Sequence, residues 1–173
     1  MNRKALEIAV RQALLTSLPS WWTLPIVAGM QPAGQGRVDG IYFWRIGDGK
    51  LGWIARGYDK PAASGEVTER QWSETQYQFS ALITDDINDP SQLLAGDALS
   101  VVRMTLAGVN VANSLMSQGI GIQRPSGILS PTFINDRGQY EYHPNFSIVL
   151  SHHRDLKHDV PDIDSFHVDV ERV

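Results

Sequence analysis

The sequence predicts an α+β fold: a mainly antiparallel sheet with an extended β-arm, packed by an N-terminal helix and a central helix. Apolar residues recur at helical spacing near the N-terminus and again over residues 91–107. Between these helices, residues 39–83 have the pattern of a run of antiparallel strands. A chain of 173 residues with 42% hydrophobic content is long enough for one core, so we expect a single domain over residues 1–173.

The composition argues against several classes of function. A net charge of −4 argues against a general nucleic-acid binder, because non-specific DNA affinity comes from clustered Lys and Arg. The chain has no cysteine, which excludes disulfides, thiolate catalysis and Cys-ligated zinc and is consistent with synthesis in a reducing cytoplasm. Charged residues interrupt the apolar N-terminal stretch, so we expect neither a signal peptide nor a transmembrane helix.

The N-terminal segment predicts an amphipathic helix over residues 3–18, with Asn2 as its N-cap. Trp21 and Trp22 follow between two prolines, which hold the chain in a rigid apolar corner. Adjacent tryptophans do not easily face the same core, so we expect one to pack inside and the other to lie at the surface. Residues 25–29 then predict a short strand.

The middle of the chain predicts a hairpin and an unusually long strand. Residues 41–46 and 50–56 are expected to pair across a turn at 47–49. The next strand, over residues 66–83, alternates apolar and polar residues only in its second half. A strand that continues past its own core needs another partner. We therefore expect a projecting β-arm at about residues 57–76, completed by a neighbouring subunit, with a solvated hairpin as the alternative.

The C-terminal half predicts two helices and several strands. The stronger helix covers residues 91–107, with Asp89 or Ser91 as its N-cap. After it we expect a short helix, two strands, a charged linker and a last strand, over residues 110–118, 128–135, 139–152, 155–164 and 163–173. The C-terminal strand 163–173 pairs either with a neighbour or within its own sheet.

No pattern in the sequence indicates catalysis or metal binding. His152 and His153 are adjacent on a predicted strand, so they face opposite sides and cannot share a metal. The serine-hydrolase motif Gly-x-Ser-x-Gly and the EF-hand spacing are both absent. We expect no catalytic residue, no metal and no cofactor. A small enzyme with a dispersed active site is the competing interpretation.

Four passages, which together span most of the chain, follow one another in a characteristic order. They are a helix leading into residues 24–27, the strand at 69–79, the helix around 97–102, and the late pair 133–141 and 144–149. In this order they resemble the tailed-phage neck proteins known as tail terminator or gateway proteins.

The resemblance implies a structural virion protein of the phage neck, made in the host cytoplasm, and not an enzyme. It implies a hexameric ring that terminates the tail tube and joins it to the head connector. Genomic DNA would pass through the lumen without specific binding. The implied partners are further copies of the chain, connector or adaptor proteins and the tail tube protein, with no membrane. The alternatives are a head-completion adaptor, a minor tail protein, or a monomeric binding module.

Five residues are candidates for the subunit interface. They lie on polar strands where Trp and charged side chains have no obvious partner in the core: Trp53, Arg56, Arg70, Trp72 and Glu74. Trp and Arg are enriched at interface hot spots. In a ring we expect them to support pairing of the arm with a neighbour's sheet. Ordinary surface placement is the alternative for each of them.

Overall fold

A computed structural model describes residues 2–29, 38–59, 65–84, 89, 91–134 and 140–160. The elements in chain order are α1 (Arg3–Ser17), β1 (Ile26–Ala28), β2 (Gly40–Asp59), β3 (Gly65–Leu82), α2 (Ala95–Leu106), α3 (Val109–Met116), β4 (Gly121–Ile122), β5 (Thr132–Ile134), β6 (Tyr140–Tyr142) and β7 (Asn145–Val160). Five of the strands form one sheet in the order β1-β2-β3-β7-β4, and β5 pairs with β6. Only β1 and β2 are parallel neighbours among the described strands. The predicted α+β class is confirmed.

The core lies between one face of the sheet and the three helices. Phe43, Phe79 and Phe146 are register partners on adjacent strands. Their rings stack with centroids 5.0 and 5.1 Å apart and planes within 10°. The helices contribute fully buried side chains to the same cluster, among them Leu6, Val10, Leu14, Leu99, Val102, Leu106 and Leu115. Each large apolar side chain buried here contributes about 1.5–3 kcal/mol.

The N-terminal predictions are confirmed. The Asn2 side chain accepts a hydrogen bond from the Ala5 backbone amide at 2.8 Å and caps α1. At the corner that follows, Trp21 is 58% exposed, whereas Trp22 packs against the core. The Trp22 indole donates to the Leu24 carbonyl oxygen at 2.7 Å, which fixes the inner ring. The two tryptophans therefore divide between core and surface.

The predicted hairpin at residues 47–49 is wrong. β2 continues through this segment, where Gly47 pairs with Gln76 and Gly49 pairs with Glu74 of β3. A β-bulge between Arg45 and Gly47 absorbs the irregularity. The glycines suggested a turn, but pairing along β3 satisfies their backbone groups in an extended conformation.

The helix that follows starts later than predicted, and neither candidate is its cap. α2 begins at Ala95 after Leu94 in the N-cap position, with no side-chain cap hydrogen bond. Asp89 instead accepts hydrogen bonds from the backbone amide of Ser91 at 2.9 Å and from its hydroxyl at 2.6 Å. These bonds hold a separate turn ahead of the helix, because a short Asp side chain competes for nearby amides.

Two further C-terminal predictions need correction. The single strand expected over 139–152 is divided at His143 and Pro144, since proline has no amide to donate to a ladder. Residues 155–160 of the expected linker belong to β7. The predicted strand 163–173 lies outside the described residues.

Candidate assembly surface on the β-arm

The three longest strands continue beyond the helices. We define the arm as residues 48–59 of β2, 65–75 of β3 and 150–160 of β7. β3 is its middle strand: Glu69 has Arg56 of β2 on one side and Leu156 of β7 on the other. The arm strand is therefore paired on both sides within its own chain. A neighbour can extend this sheet only at the outer edges of β2 and β7.

Those outer edges are largely open within the described residues. β1 pairs with β2 only as far as Phe43, and β4 pairs with β7 only at Leu150 and Ser151. Beyond these points no described strand lies alongside either edge. Unpaired strand edges present amide and carbonyl groups to an added strand. Among the residues that the structure describes, the arm thus has two edges without a neighbouring strand, where β-augmentation could occur.

A wide irregularity in β2 exposes a tryptophan. Leu51 pairs with Trp72, but the next paired residue is Ala55, so three residues stand opposite Gln71. The Gln71 side-chain amide donates to the carbonyl oxygens of Leu51 and Gly52 at 2.8 and 3.1 Å. We call residues 52–54 the β2 bulge. At its centre the Trp53 side chain is 97% exposed.

Further apolar side chains lie exposed on the same three strands. They are Leu51, Ile54, Trp72 and Leu156. The Trp72 ring contacts the His153 ring, with centroids 3.6 Å apart. Leu51 is the register partner of Trp72 and lies on the same face of the arm, whereas Leu156 pairs with Glu69 and lies on the other face. The exposed apolar residues at Trp72 and the β2 bulge indicate an interaction site. Both tryptophans of this group are among the predicted interface residues. The aliphatic residues were not predicted, although a glycine inside a strand pattern, as at Gly52, is a signal for a bulge.

The three charged interface candidates have partners within the chain. Arg56 donates to Glu69 at 2.9 Å, and Arg70 donates to both carboxylate oxygens of Asp155 at 2.8 and 2.9 Å. The hydrogen bond from Arg70 lowers the pKa of Asp155 below its ordinary value. These cross-strand contacts were not foreseen, because the pairing of β7 with β3 is not encoded locally.

The fifth candidate, Glu74, lies near the base of the arm. Its Oε1 atom accepts a hydrogen bond from the Gln123 side-chain amide at 2.7 Å. The five candidates therefore lie on adjacent strands of one sheet. Only Trp53 and Trp72 among them present large apolar surface to solvent.

A polar cluster marks the junction between core and arm. The Thr75 hydroxyl donates to Asp48 at 2.9 Å and lies 3.0 Å from Nε2 of His152. Asp48 also pairs with Arg45 and, at 3.4 Å, with Arg154. Burial lowers the pKa of His152, which favours the neutral ring. These contacts give the buried Thr75 and His152 side chains polar partners at the junction.

His152 and His153 face opposite sides of β7, as predicted. His152 is buried in the junction cluster, whereas His153 contacts Trp72 on the other face. Within the described ranges, no group of three or more His, Asp or Glu side chains is arranged to hold a metal ion. None of the helices described here is long and apolar enough to cross a membrane.

A protein-family model, that of the E217 gateway protein gp29, matches residues 5–162 of the chain. The chain therefore belongs to this gateway protein family, as the resemblance predicted. No curated protein matches the sequence.

Two solved structures share the fold. One is the sheath/tube terminator of an extracellular contractile injection system, PVC, in its extended state, with 12% identity and a TM-score of 0.52 over 100% of this chain. The other is the tube terminating cap of the anti-feeding prophage, with 12% identity and a TM-score of 0.55 over 98% of this chain. The chain spans 64% and 62% of the lengths of these two proteins.

Proposed function

We propose that the protein is a structural component of the virion that closes the end of the phage tail tube. The gateway family match over residues 5–162 is the main observation in favour. The two proteins of similar fold are described as a sheath/tube terminator and a tube terminating cap, which agrees with this role. In this proposal the tail tube protein contacts one side of the subunit, and head connector or adaptor proteins contact the other.

We further propose that six copies form a ring. A ring requires heterologous contacts, in which one surface of a subunit binds a different surface of the next. The open edges of the arm offer main-chain groups for such a contact, and exposed Trp53 and Trp72 offer apolar anchors. Arg56 and Arg70 link neighbouring arm strands through their own-chain partners, and Glu74 links the base of the arm to Gln123. In a ring they would keep the two tryptophans in position.

The charge of the subunit suits a channel for DNA. A net charge of −4 and an arm that carries charges of both signs give no dense basic surface for phosphate groups. DNA that passes through the lumen is then not held tightly. We expect no measurable affinity for duplex DNA at physiological salt in a filter-binding or fluorescence assay.

The direct test of ring formation is the molar mass in solution. We would measure light scattering over a concentration series, with and without purified tail tube, and image the assemblies by electron microscopy. A hexameric mass with six-fold rings is the expected result. A strict monomer under every condition, including with tube, would contradict the ring and favour the monomeric binding module.

The role of the arm is tested by shortening all three strands together. One variant replaces residues 52–71 by Asn-Gly, a two-residue hairpin turn that joins the register partners Leu51 and Trp72, and ends the chain after His153. The thermal transition of the core should persist, because the buried cluster lies outside the deleted segments. Ring formation should be lost. Rings that form unchanged would show that the arm is dispensable.

A further inference from the structure

A pocket opens beside the tryptophan corner. It has a volume of about 270 Å³ and is lined mainly by apolar side chains. Those that matter here are Trp21, Trp22, Leu24, Ile83 and Leu93, with Asp39 at the polar side. An apolar cavity of about 150 Å³ accepts benzene, so this pocket has room for a bicyclic aromatic ring.

The walls of the pocket are held in place by hydrogen bonds. Asp39 accepts from the backbone amide and the hydroxyl of Thr84 at 3.0 and 3.1 Å. The Gln92 side chain donates to the Thr84 carbonyl oxygen at 2.7 Å, and Trp22 is fixed by its bond to Leu24. The pocket is thus formed within a single subunit before any partner binds.

The β2 bulge presents a side chain that this pocket can receive. Trp53 is almost fully exposed, and the bulge that carries it is held by Gln71 and by Gly52, whose φ of +66° a side chain would strain. A bulge held in this way is a built feature of the strand and not a loose loop. An indole exposed to water gains a large apolar contact area when it enters such a pocket.

Trp53 cannot reach the pocket of its own chain. Asp39 lies just before β2, and β2 runs as one strand to the bulge, so the two sites are about 40 Å apart at the rise of an extended strand. A side chain and its pocket at opposite ends of one long strand can meet only between two copies. Repetition of such a head-to-tail contact is the arrangement that a ring requires, and it closes when the rotation between neighbours divides a full turn.

Charges around the two sites are complementary. Lys50 precedes the bulge in sequence and is exposed, whereas the charge of Arg56 after the bulge is already balanced by Glu69 of its own chain. The pocket contains Asp39, and exposed Asp89 lies close by in the sequence. Opposite charges at the rim of an apolar contact favour the correct orientation of encounter.

We propose that Trp53 of each subunit inserts into the tryptophan-corner pocket of a second copy of this chain. The inference rests on the proposed ring and specifies its contact. It assigns the pocket to an indole side chain of the neighbour and makes Trp53 the central anchor of the interface.

Cross-linking tests the contact directly, because the natural chain has no cysteine. One variant carries Ile54→Cys beside Trp53, and the second carries Thr23→Cys at the exposed rim of the pocket. The two proteins are mixed, assembled and treated with a short bismaleimide. A cross-linked dimer of the two variants is the expected product. A matched control replaces the second variant by one with Ser117→Cys, an exposed site at the end of α3, and should give no cross-link.

Removal of the indole supplies an independent measurement. Trp53→Ala should weaken association of the subunits by about thirtyfold, the effect of truncating an interface hot spot. Thr23→Trp places an indole at the pocket from within its own chain and should weaken association similarly. Leu156→Ala removes a different exposed apolar side chain of the arm and should change association less than threefold.

The outcomes of these experiments distinguish failure of the proposed Trp53 contact from failure of the proposed ring. The proposed contact is overturned, and the ring is not, by two results together. Rings form without a cross-linked product of the Ile54→Cys and Thr23→Cys variants, and the Trp53→Ala variant associates as the wild type does. If the wild-type chain never associates, with or without tail tube, both proposals fail. A protein other than this chain that protects Trp53 while the subunits associate normally would also overturn the assignment.

Discussion

Tyr77 has a buried hydroxyl group that lacks a hydrogen-bond partner in the described part of the chain. A buried hydroxyl without a partner costs about 1–3 kcal/mol of desolvation. We predict that Tyr77→Phe, which keeps the ring packed against Phe43, raises the free energy of unfolding by about 1 kcal/mol. Urea denaturation at pH 7 measures this. A loss of stability would mean that the hydroxyl is satisfied in solution.

The raised pKa of Tyr77 predicts that the protein loses stability at alkaline pH. Burial raises the pKa of Tyr77 from its ordinary value of 10.0 to about 12. Between these values the unfolded chain loses the phenol proton and the folded chain keeps it, so stability falls as the pH rises from 10 to 12. The loss is on the order of 2–3 kcal/mol. Tyr77→Phe should remove this part of the pH dependence, and an unchanged slope would contradict the shift.

The lowered pKa of His152 predicts that the protein loses stability as the pH falls into the mildly acidic range. Burial lowers the pKa of His152 from its ordinary value of 6.5, so the unfolded chain takes up a proton before the folded chain does. Stability is therefore fully present above pH 6.5 and declines as the pH falls below it. Chemical denaturation at several pH values measures the slope. His152→Gln should flatten it, whereas His158→Gln, an exposed site on the same strand, should leave the decline in place.

At the scale of the element, the β2 bulge depends on one glycine. Gly52 has a φ of +66°, a conformation that costs an L-residue about 1–2 kcal/mol, and a Cβ there would meet no atom within 4 Å. Gly52→Ala should therefore introduce strain without a clash and lower the free energy of unfolding by about 1 kcal/mol. Gly57→Ala on the same strand is the matched control, since its backbone is not left-handed and the nearest atom is 4.0 Å away. Equal effects of the two changes would contradict the role of Gly52.

The pairing of the arm strands explains how it stays extended without a covering helix. β3 runs for about 60 Å and has a partner on each side along most of this length. Cross-strand contacts such as Arg70 with Asp155 join residues that are 85 positions apart in sequence. Exposed ion pairs add little energy individually, so backbone pairing is the main source of order in the arm.

At the scale of the whole molecule, stability is unevenly distributed. The helices cover only the core half of the sheet, where Tyr77, Phe79 and Ala81 are buried, while residues 51–57 and 154–159 are exposed. We predict that amides of residues 77–81 exchange with deuterium only on global unfolding. Amides of residues 69–71 should exchange through local opening of the arm, at least about tenfold faster. Mass-spectrometric hydrogen exchange on the free subunit measures both.

Assembly should reduce this difference in exchange between arm and core. If the arm lies against a neighbouring subunit, exchange at residues 69–71 should slow in the ring relative to the free subunit. Core amides should change little. Equal protection of arm and core in the free subunit would contradict the uneven distribution of stability.

Local patterns in the sequence were sufficient to predict the helices and strands whose own apolar face is buried in the core. The spacing of Leu6, Val10 and Leu14 and the cap at Asn2 predicted α1, and the alternation from Tyr77 onward predicted the core half of β3. The four passages that resemble neck proteins predicted the family, and the match to the gateway protein family model confirms it. Each of these features depends on residues close together in the chain, so the sequence displays it directly.

Pairing between strands that are far apart in the chain could not be predicted from local patterns. Gly47 and Gly49 suggested a turn, yet β2 continues because β3 offers a ladder along its whole length. Residues 155–160 resemble a charged linker but complete the arm as part of β7. Local residue patterns were enough to predict that the helices exist, that the core half of β3 is a half-buried strand, and which family the chain belongs to. The three-stranded arm and the bulge that presents Trp53 follow from tertiary pairing, because strand register depends on the free energy of contacts between distant segments.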